Sequence, residues 1–129
     1  MSIPGIDPRL PPDGHGPHWY GLYPAVVTDL VDPDRKGRIQ VRFPFLGQAG
    51  EAVRAWATLL TPYADDDQGL EILPEVDSQV VVGFEAGDPS RPYIVGACWN
   101  GRTTQPESPE AANNLRTLKT RSGSVLQFD

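Results

Sequence analysis

With one cysteine in 129 residues, the chain cannot form an internal disulfide, and it suits a reducing compartment. No uninterrupted apolar run approaches the roughly 20 residues that a membrane-spanning helix needs. The opening residues, Met1-Ser2-Ile3-Pro4-Gly5-Ile6-Asp7, carry neither a basic region nor an apolar core, which excludes a secretory signal. These absences predict synthesis and assembly in the cytoplasm, without stable membrane insertion. Basic residues are scarce: 11 Lys and Arg stand against 17 Asp and Glu, a formal charge of −6. Nucleic-acid binders gain affinity by neutralising phosphates with clustered cations, so this balance argues against a dedicated one. The chain also lacks a Gly-x-Ser-x-Gly elbow, a phosphate-binding glycine loop, a His-Glu-x-x-His pair and any internal repeat.

What is present is turn chemistry. The 14 prolines and 13 glycines favour short strands over long helices. Residues 1–18, rich in both, cannot build a core and read as an extended arm. From Tyr23 to Val31 the pattern is that of a strand, Asp32 to Gly37 is a turn, and Arg38 to Phe43 is a second strand. Its alternation puts Ile39, Val41 and Phe43 on one face and Gln40 and Arg42 on the other. A third strand runs from Val53 to Tyr63, with Val53, Ala57 and Leu59 on one face and Trp56 and Leu60 on the other. Ala64 to Gly69 reads as a polar loop. The last two strands, Gln79–Glu85 and Pro92–Cys98, form a hairpin around a connection in which Gly87, Asp88, Pro89 and Pro92 supply the turn geometry. Five strands at roughly ten-residue spacing predict an all-β, closed or nearly closed barrel over residues 19–100. Val26, Ile39, Val41, Phe43, Val80, Val82 and Phe84 are its expected core. Residues 101–114 read as a linker with one short helical turn near Glu110–Asn113. Residues 115–129 hold two further strand-like runs around Ser122-Gly123-Ser124.

Chemical sites are not nominated. Asp65-Asp67 fit the first two ligand positions of an EF-hand, but Gly69, Leu70 and Val76 then occupy its next ligand, glycine and glutamate positions. His15 and His18 flank Gly16-Pro17 in the arm, with too few further ligands for a metal. Cys98 ends an apolar strand without an activating base. Trp19, Tyr20, Trp56, Tyr63, Tyr93 and Trp99 suit packing better than base stacking in so acidic a chain. The reading is no enzyme, no catalytic residue, no metal ligand and no cofactor.

Four segments, in order, resemble one family. Val31-Asp32-Pro33-Asp34-Arg35-Lys36-Gly37-Arg38-Ile39-Gln40-Val41-Arg42-Phe43-Pro44 is the first, and Trp56-Ala57-Thr58-Leu59-Leu60-Thr61-Pro62-Tyr63-Ala64 the second. The third is Pro74 to Gly101 and the fourth Thr120 to Asp129. They are similar to the OB-fold domain of phage baseplate assembly protein V and the Vgr-type spikes of contractile injection systems. Asp77-Ser78 replaces the family's usual Gly-Asp, which implies a looser turn before the fourth strand, and Gly83 stands where the family often has Ala.

The resemblance implies a five-stranded OB-fold barrel followed by the start of an intertwined trimeric β-helix over 115–129. It implies a homotrimeric spike that caps the tube and helps puncture the target envelope. Its partners would be baseplate hub and tube proteins, with a tip protein or a downstream needle segment. The spike would finally reside in a virion or injection particle. Leu118, Leu126 and Phe128 are the expected inward, trimer-forming face, with Arg116, Lys119 and Arg121 outward. The chain stops where the family's needle would begin, either as a truncated form or as a short spike completed by another protein. The competing reading is an OB-fold module for single-stranded nucleic acid.

Overall fold

The computed structural model describes residues 18–44, 46 and 53–129. The expected arm, including His15, lies outside them except for His18. The described chain divides into two compact units, one ending at Cys98 and one beginning at Trp99.

The first unit is a closed barrel of five strands in the spatial order β1-β2-β3-β7-β6. These are β1 (Tyr23–Asp29), β2 (Ile39–Phe43), β3 (Val53–Leu59), β6 (Gln79–Phe84) and β7 (Pro92–Ala97). Between β3 and β6 lie β4 (Ala64–Asp65) and β5 (Gln68–Gly69), a small separate hairpin. The β1–β2, β2–β3, β1–β6 and β6–β7 pairings are antiparallel. The barrel closes where β3 meets β7 in parallel, through Thr58 opposite Tyr93 and Leu59 opposite Ile94. Closure leaves few unpaired backbone groups on a sheet edge.

The interior is built from Ala25, Val27, Ile39, Val41, Phe43, Ala57, Val80, Val82 and Ile94. Burial of each large apolar side chain contributes about 1.5–3 kcal/mol against leaving it in water. Ile39, Val41, Phe43, Val80 and Val82 are inside, as their alternation predicts, and Phe84 is half-buried against this core. Val26 is a correction: it is only half-buried and faces outward, while Ala25 and Val27 are fully inside. Ala25-Val26-Val27 are apolar in succession, so a period of two names no face there. Pairing decides it, because Ala25 lies opposite Val80 and Val27 opposite Val41.

Two loops differ from expectation. The polar loop at 64–69 is instead the β4–β5 hairpin, with Ala64 opposite Gly69, Asp65 opposite Gln68 and Asp66-Asp67 at the tip. Consequently β3 ends at Leu59 rather than Tyr63. The turn before β6 is closed, not loose. Asp77 adopts φ 72° in place of a glycine, its N–H donates to Val27 O (2.8 Å), and Ser78 N–H donates to Glu75 O (3.1 Å). Asp is among the few residues that tolerate this left-handed backbone.

The second unit contains β8 (Arg116–Lys119) and β9 (Val125–Phe128), an antiparallel pair joined through Thr120–Ser124. Thr120 N–H donates to Ser124 O (2.9 Å) and Gly123 N–H to Thr120 O (3.0 Å). Glu110–Asn113 is a single turn closed by Asn113 N–H on Glu110 O (3.1 Å), not a helix.

Candidate functional site

The β6–β7 connection starts with a one-turn 3-10 segment, Glu85–Gly87. Ala86 and Gly87 there take φ 51° and 79°. Asp88 N–H donates to Glu85 O (2.9 Å), and Arg91 N–H donates to Asp88 O (3.0 Å). The Asp88 carboxylate accepts from Ser90 N–H (2.9 Å) and Ser90 Oγ (2.7 Å). Arg91 closes the loop by pairing with Glu85 at 2.9 Å and, more distantly, Asp88 at 3.8 Å. Glu85 hydrogen bonding to Arg91 raises the guanidinium pKa above its ordinary value. Pro92 is buried as the first residue of β7, opposite Phe84, where a missing N–H is tolerated. The Asp88 carboxylate and the Arg91 guanidinium are thus engaged within the loop itself.

Gly87 has a second role that its sequence motif does not reveal. Its carbonyl accepts from Trp19 N–H at 2.7 Å, which seats residues 18–20 against the connection. A Cβ on Gly87 would lie 2.9 Å from Tyr20 Cε1 and 3.1 Å from His18 Cβ. Trp19 then packs edge-on against Phe84, with centroids 5.0 Å apart, and against Phe43 at 6.3 Å. Tyr23 joins from the side, edge-on to Phe84 at 5.6 Å. His18 and Tyr20 are hydrogen-bonded to each other through Nδ1 and the phenol, and Tyr23 OH donates to Tyr20 O (2.8 Å). One end of the barrel is thus plugged by an aromatic cluster whose edge-to-face contacts add to simple burial.

The β1–β2 turn is organised by Asp32, the one charged side chain that is buried among the described residues. Its carboxylate accepts from the N–H groups of Asp34 (2.9 Å), Lys36 (3.1 Å) and Arg38 (3.2 Å). It also takes a forked pair from Arg38, Nε at 2.8 Å and Nη2 at 3.0 Å. The Arg38 guanidinium, followed by these backbone donors, holds the Asp32 carboxyl far below the usual carboxylate range against the opposing effect of burial. The same contact raises the Arg38 pKa. Arg38 reaches over the Trp56 ring, 6.0 Å from its centroid.

Leu118, Leu126 and Phe128 come together on one face of the β8–β9 hairpin. Leu118 lies directly opposite Leu126 and Arg116 opposite Phe128, and opposed residues share a face. All three apolar side chains are largely open, at 47, 56 and 64% exposure. Arg116 is a correction, since it occupies this same face rather than the outward one. It stands two residues from Leu118, and a spacing of two preserves the face. Its guanidinium turns back to Asn113 O (2.8 Å) and Leu115 O (3.0 Å).

The remaining candidates are dispersed. Trp56 is on β3, Tyr63 beside the β4–β5 hairpin, Tyr93 on β7 and Trp99 in the second unit. Cys98 is exposed, within 3.5 Å of Gln79 Nε2. Among the described residues no three His, Cys, Asp or Glu side chains gather around a metal-sized site, and no helix is long and apolar enough to cross a membrane.

Residues 23–99 match the family model of the type VI secretion system/phage-baseplate injector OB domain. The type VI secretion system spike protein VgrG5 of Pseudomonas aeruginosa is 31% identical over 117 residues, covering 85% of this chain and 15% of that protein. VgrG1a of the same organism is 31% identical over 130 residues, 94% of this chain and 20% of its own length. VgrG3 of Vibrio cholerae is 31% identical over 91 residues, 69% and 9% respectively. This chain therefore spans a fifth or less of these curated relatives. The matched segment begins and ends with the barrel, and the chain belongs to the type VI secretion system/phage-baseplate injector OB-domain family.

Proposed function

We propose that this chain is a structural, non-enzymatic component of the central spike of a contractile injection machine, working as a homotrimer that caps the tube and helps it breach a target envelope. Its partners are baseplate hub and tube proteins, with a tip protein or a downstream needle segment beyond residue 129. It assembles in the cytoplasm and ends in a virion or injection particle. The observation that carries this reading is the family match over the whole barrel, residues 23–99. The structural turn at Gly87, Asp88, Pro89 and Pro92 serves to hold the barrel's shape.

The C-terminal hairpin supports the trimer. An isolated two-stranded hairpin is marginal in water, and this one leaves Leu118, Leu126 and Phe128 about half open. Full burial of such a side chain is worth about 1.5–3 kcal/mol, so covering the remaining half of three gives on the order of 2–5 kcal/mol per chain before ordering entropy. A three-fold axis lets three hairpins hide these faces together.

The test is the mass in solution of this chain, and of a version extended at its C-terminus, with and without Leu126→Asp and Phe128→Asp. The reading expects a trimer in at least the extended chain, lost or weakened in the double variant while the barrel stays folded. A trimer indifferent to the two substitutions would remove the hairpin from the interface. Salt-sensitive binding of single-stranded nucleic acid would favour the competing OB-fold reading instead.

A further inference from the structure

On the outer face of the barrel, Arg42 of β2 lies directly opposite Arg54 of β3. Like charges facing each other across a ladder are destabilising. Arg38 and Arg91 have carboxylate partners, whereas Arg42 and Arg54 have none among the described residues. Half-buried Trp56, two residues along, shares the face of Arg54. A chain of net charge −6 thus concentrates unneutralised positive charge and an aromatic ring on one sheet face.

At the other end of β3 is the complement. A groove of about 660 Å³ opens beneath the β4–β5 hairpin, floored by Ile39, Leu59 and Leu70 and rimmed by Asp65, Asp67 and Glu71. The hairpin is well fixed, with Leu70 N–H on Tyr63 O (2.9 Å) and Thr61 Oγ1 on Leu70 O (2.8 Å). Arg54 and Leu59 are five residues apart on one strand, about 16 Å at the usual rise. That exceeds the Debye length of about 10 Å at 0.1 M salt, and among the described residues no ion pair joins Arg42 or Arg54 to the rim acids.

We infer that the Arg42–Arg54 face of one copy docks on the acid-rimmed groove of the next, forming a heterologous contact between barrels. The occupant is a second copy because the same molecule supplies both halves, matched in charge and in apolar content. A contact between different patches closes into a ring under rotational symmetry. The inference rests on the homotrimer proposed above and adds an interface that the C-terminal hairpin does not provide.

The experiment is charge reversal in the full chain, read by concentration-dependent mass in solution, with circular dichroism to verify folding. Arg42→Glu with Arg54→Glu, or Asp65→Lys with Asp67→Lys, is expected to weaken self-association about tenfold or more. The variant carrying all four changes is expected to regain association to within about threefold, because the pairing is merely inverted. Raising salt from about 0.05 M to about 0.5 M weakens the wild-type contact in the same direction. If the double Glu variant misfolds, Arg42→Gln with Arg54→Gln takes its place and loses association without repulsion. An arginine variant that associates like wild type overturns the interface while leaving the hairpin-based trimer standing. A loss that the reciprocal aspartate change does not repair overturns it too and assigns the arginines to a different acidic partner. A chain monomeric at all concentrations tested likewise overturns it.

Discussion

Replacing Gly87 by alanine separates backbone strain from a specific contact, because Gly37 provides an internal control. The two glycines have nearly equal positive φ, 79° and 72°, but Gly37 has nothing within 4 Å of an added Cβ. At Gly37 the substitution costs only left-handed backbone, about 1–2 kcal/mol, partly offset by about 0.4–1 kcal/mol from a stiffer unfolded chain. The net is a loss on the order of 1 kcal/mol. At Gly87 the same Cβ meets Tyr20 Cε1 at 2.9 Å and His18 Cβ at 3.1 Å. Residues 18–20 are anchored there by the Trp19 N–H bond to Gly87 O. Forcing an extra methyl into such packing costs roughly a further 1–3 kcal/mol. In a domain of this size 1 kcal/mol moves the midpoint by about 4–8 °C. Thermal unfolding should therefore show Gly87→Ala melting lower than Gly37→Ala by at least about 4 °C. Adding Tyr20→Ala to Gly87→Ala should recover part of the difference, a coupling of neighbours that independent sites would not show. His18 Cβ keeps the recovery incomplete. Equal losses at the two glycines, or strict additivity with Tyr20→Ala, would refute the idea that Gly87 seats the entering segment.

Three further outcomes are expected. Val27→Asp should unfold the barrel by burying an unpaired charge, while Val26→Asp, on the outer face, should cost about 1 kcal/mol or less; the reverse order in chemical denaturation would restore the opposite register. The Asp32 carboxyl is more acidic folded than unfolded, so its stabilisation is complete above about pH 5 and declines as the pH falls further. Asp32→Asn should flatten that acid limb, and an unchanged pH profile would remove Asp32 from it. Asp88→Ala frees Ser90 N–H and loosens Arg91, and a loss of about 0.5–2 kcal/mol is expected; abolition of a hydrolytic activity in a protein of unchanged stability would instead make the loop a catalytic one.

Strands with strict alternation were readable from sequence because only one of their faces tolerates water. Ile39, Val41 and Phe43, separated by Gln40 and Arg42, needed no partner to declare their side. The run Ala25-Val26-Val27 carries no such contrast, and only cross-strand register chose its inner residues. The β4–β5 hairpin escaped notice because two-residue strands have no period at all. The aromatic plug escaped for another reason: Trp19 meets Phe43 and Phe84 across 24 and 65 positions of sequence, a proximity that follows only from closing the barrel. The same holds for the opposed arginines, since Arg42 and Arg54 become neighbours only once β2 and β3 pair. By contrast, the family resemblance was legible because its carriers are local turns, such as Asp32 to Arg38 and Gly87 to Pro92, whose side chains serve their own loops.

The two-pair parallel seam between β3 and β7 bears on the order in which the molecule assembles. The β1-β2-β3 meander and the β6–β7 hairpin each join strands that are neighbours in sequence, so each can form early at small loop-closure cost. Uniting them requires two long-range junctions. One, β1 with β6, spans four residue pairs. The other, Thr58 with Tyr93 and Leu59 with Ile94, has two, supplemented by Leu60 N–H on Ile94 O at 3.0 Å. The shorter junction gains least for the chain it must immobilise, so it closes last and breathes first. The barrel is then kinetically a curled sheet with a clasp, and amide protons at Leu60 and along that seam should be the first of the barrel's bonded protons to exchange with solvent.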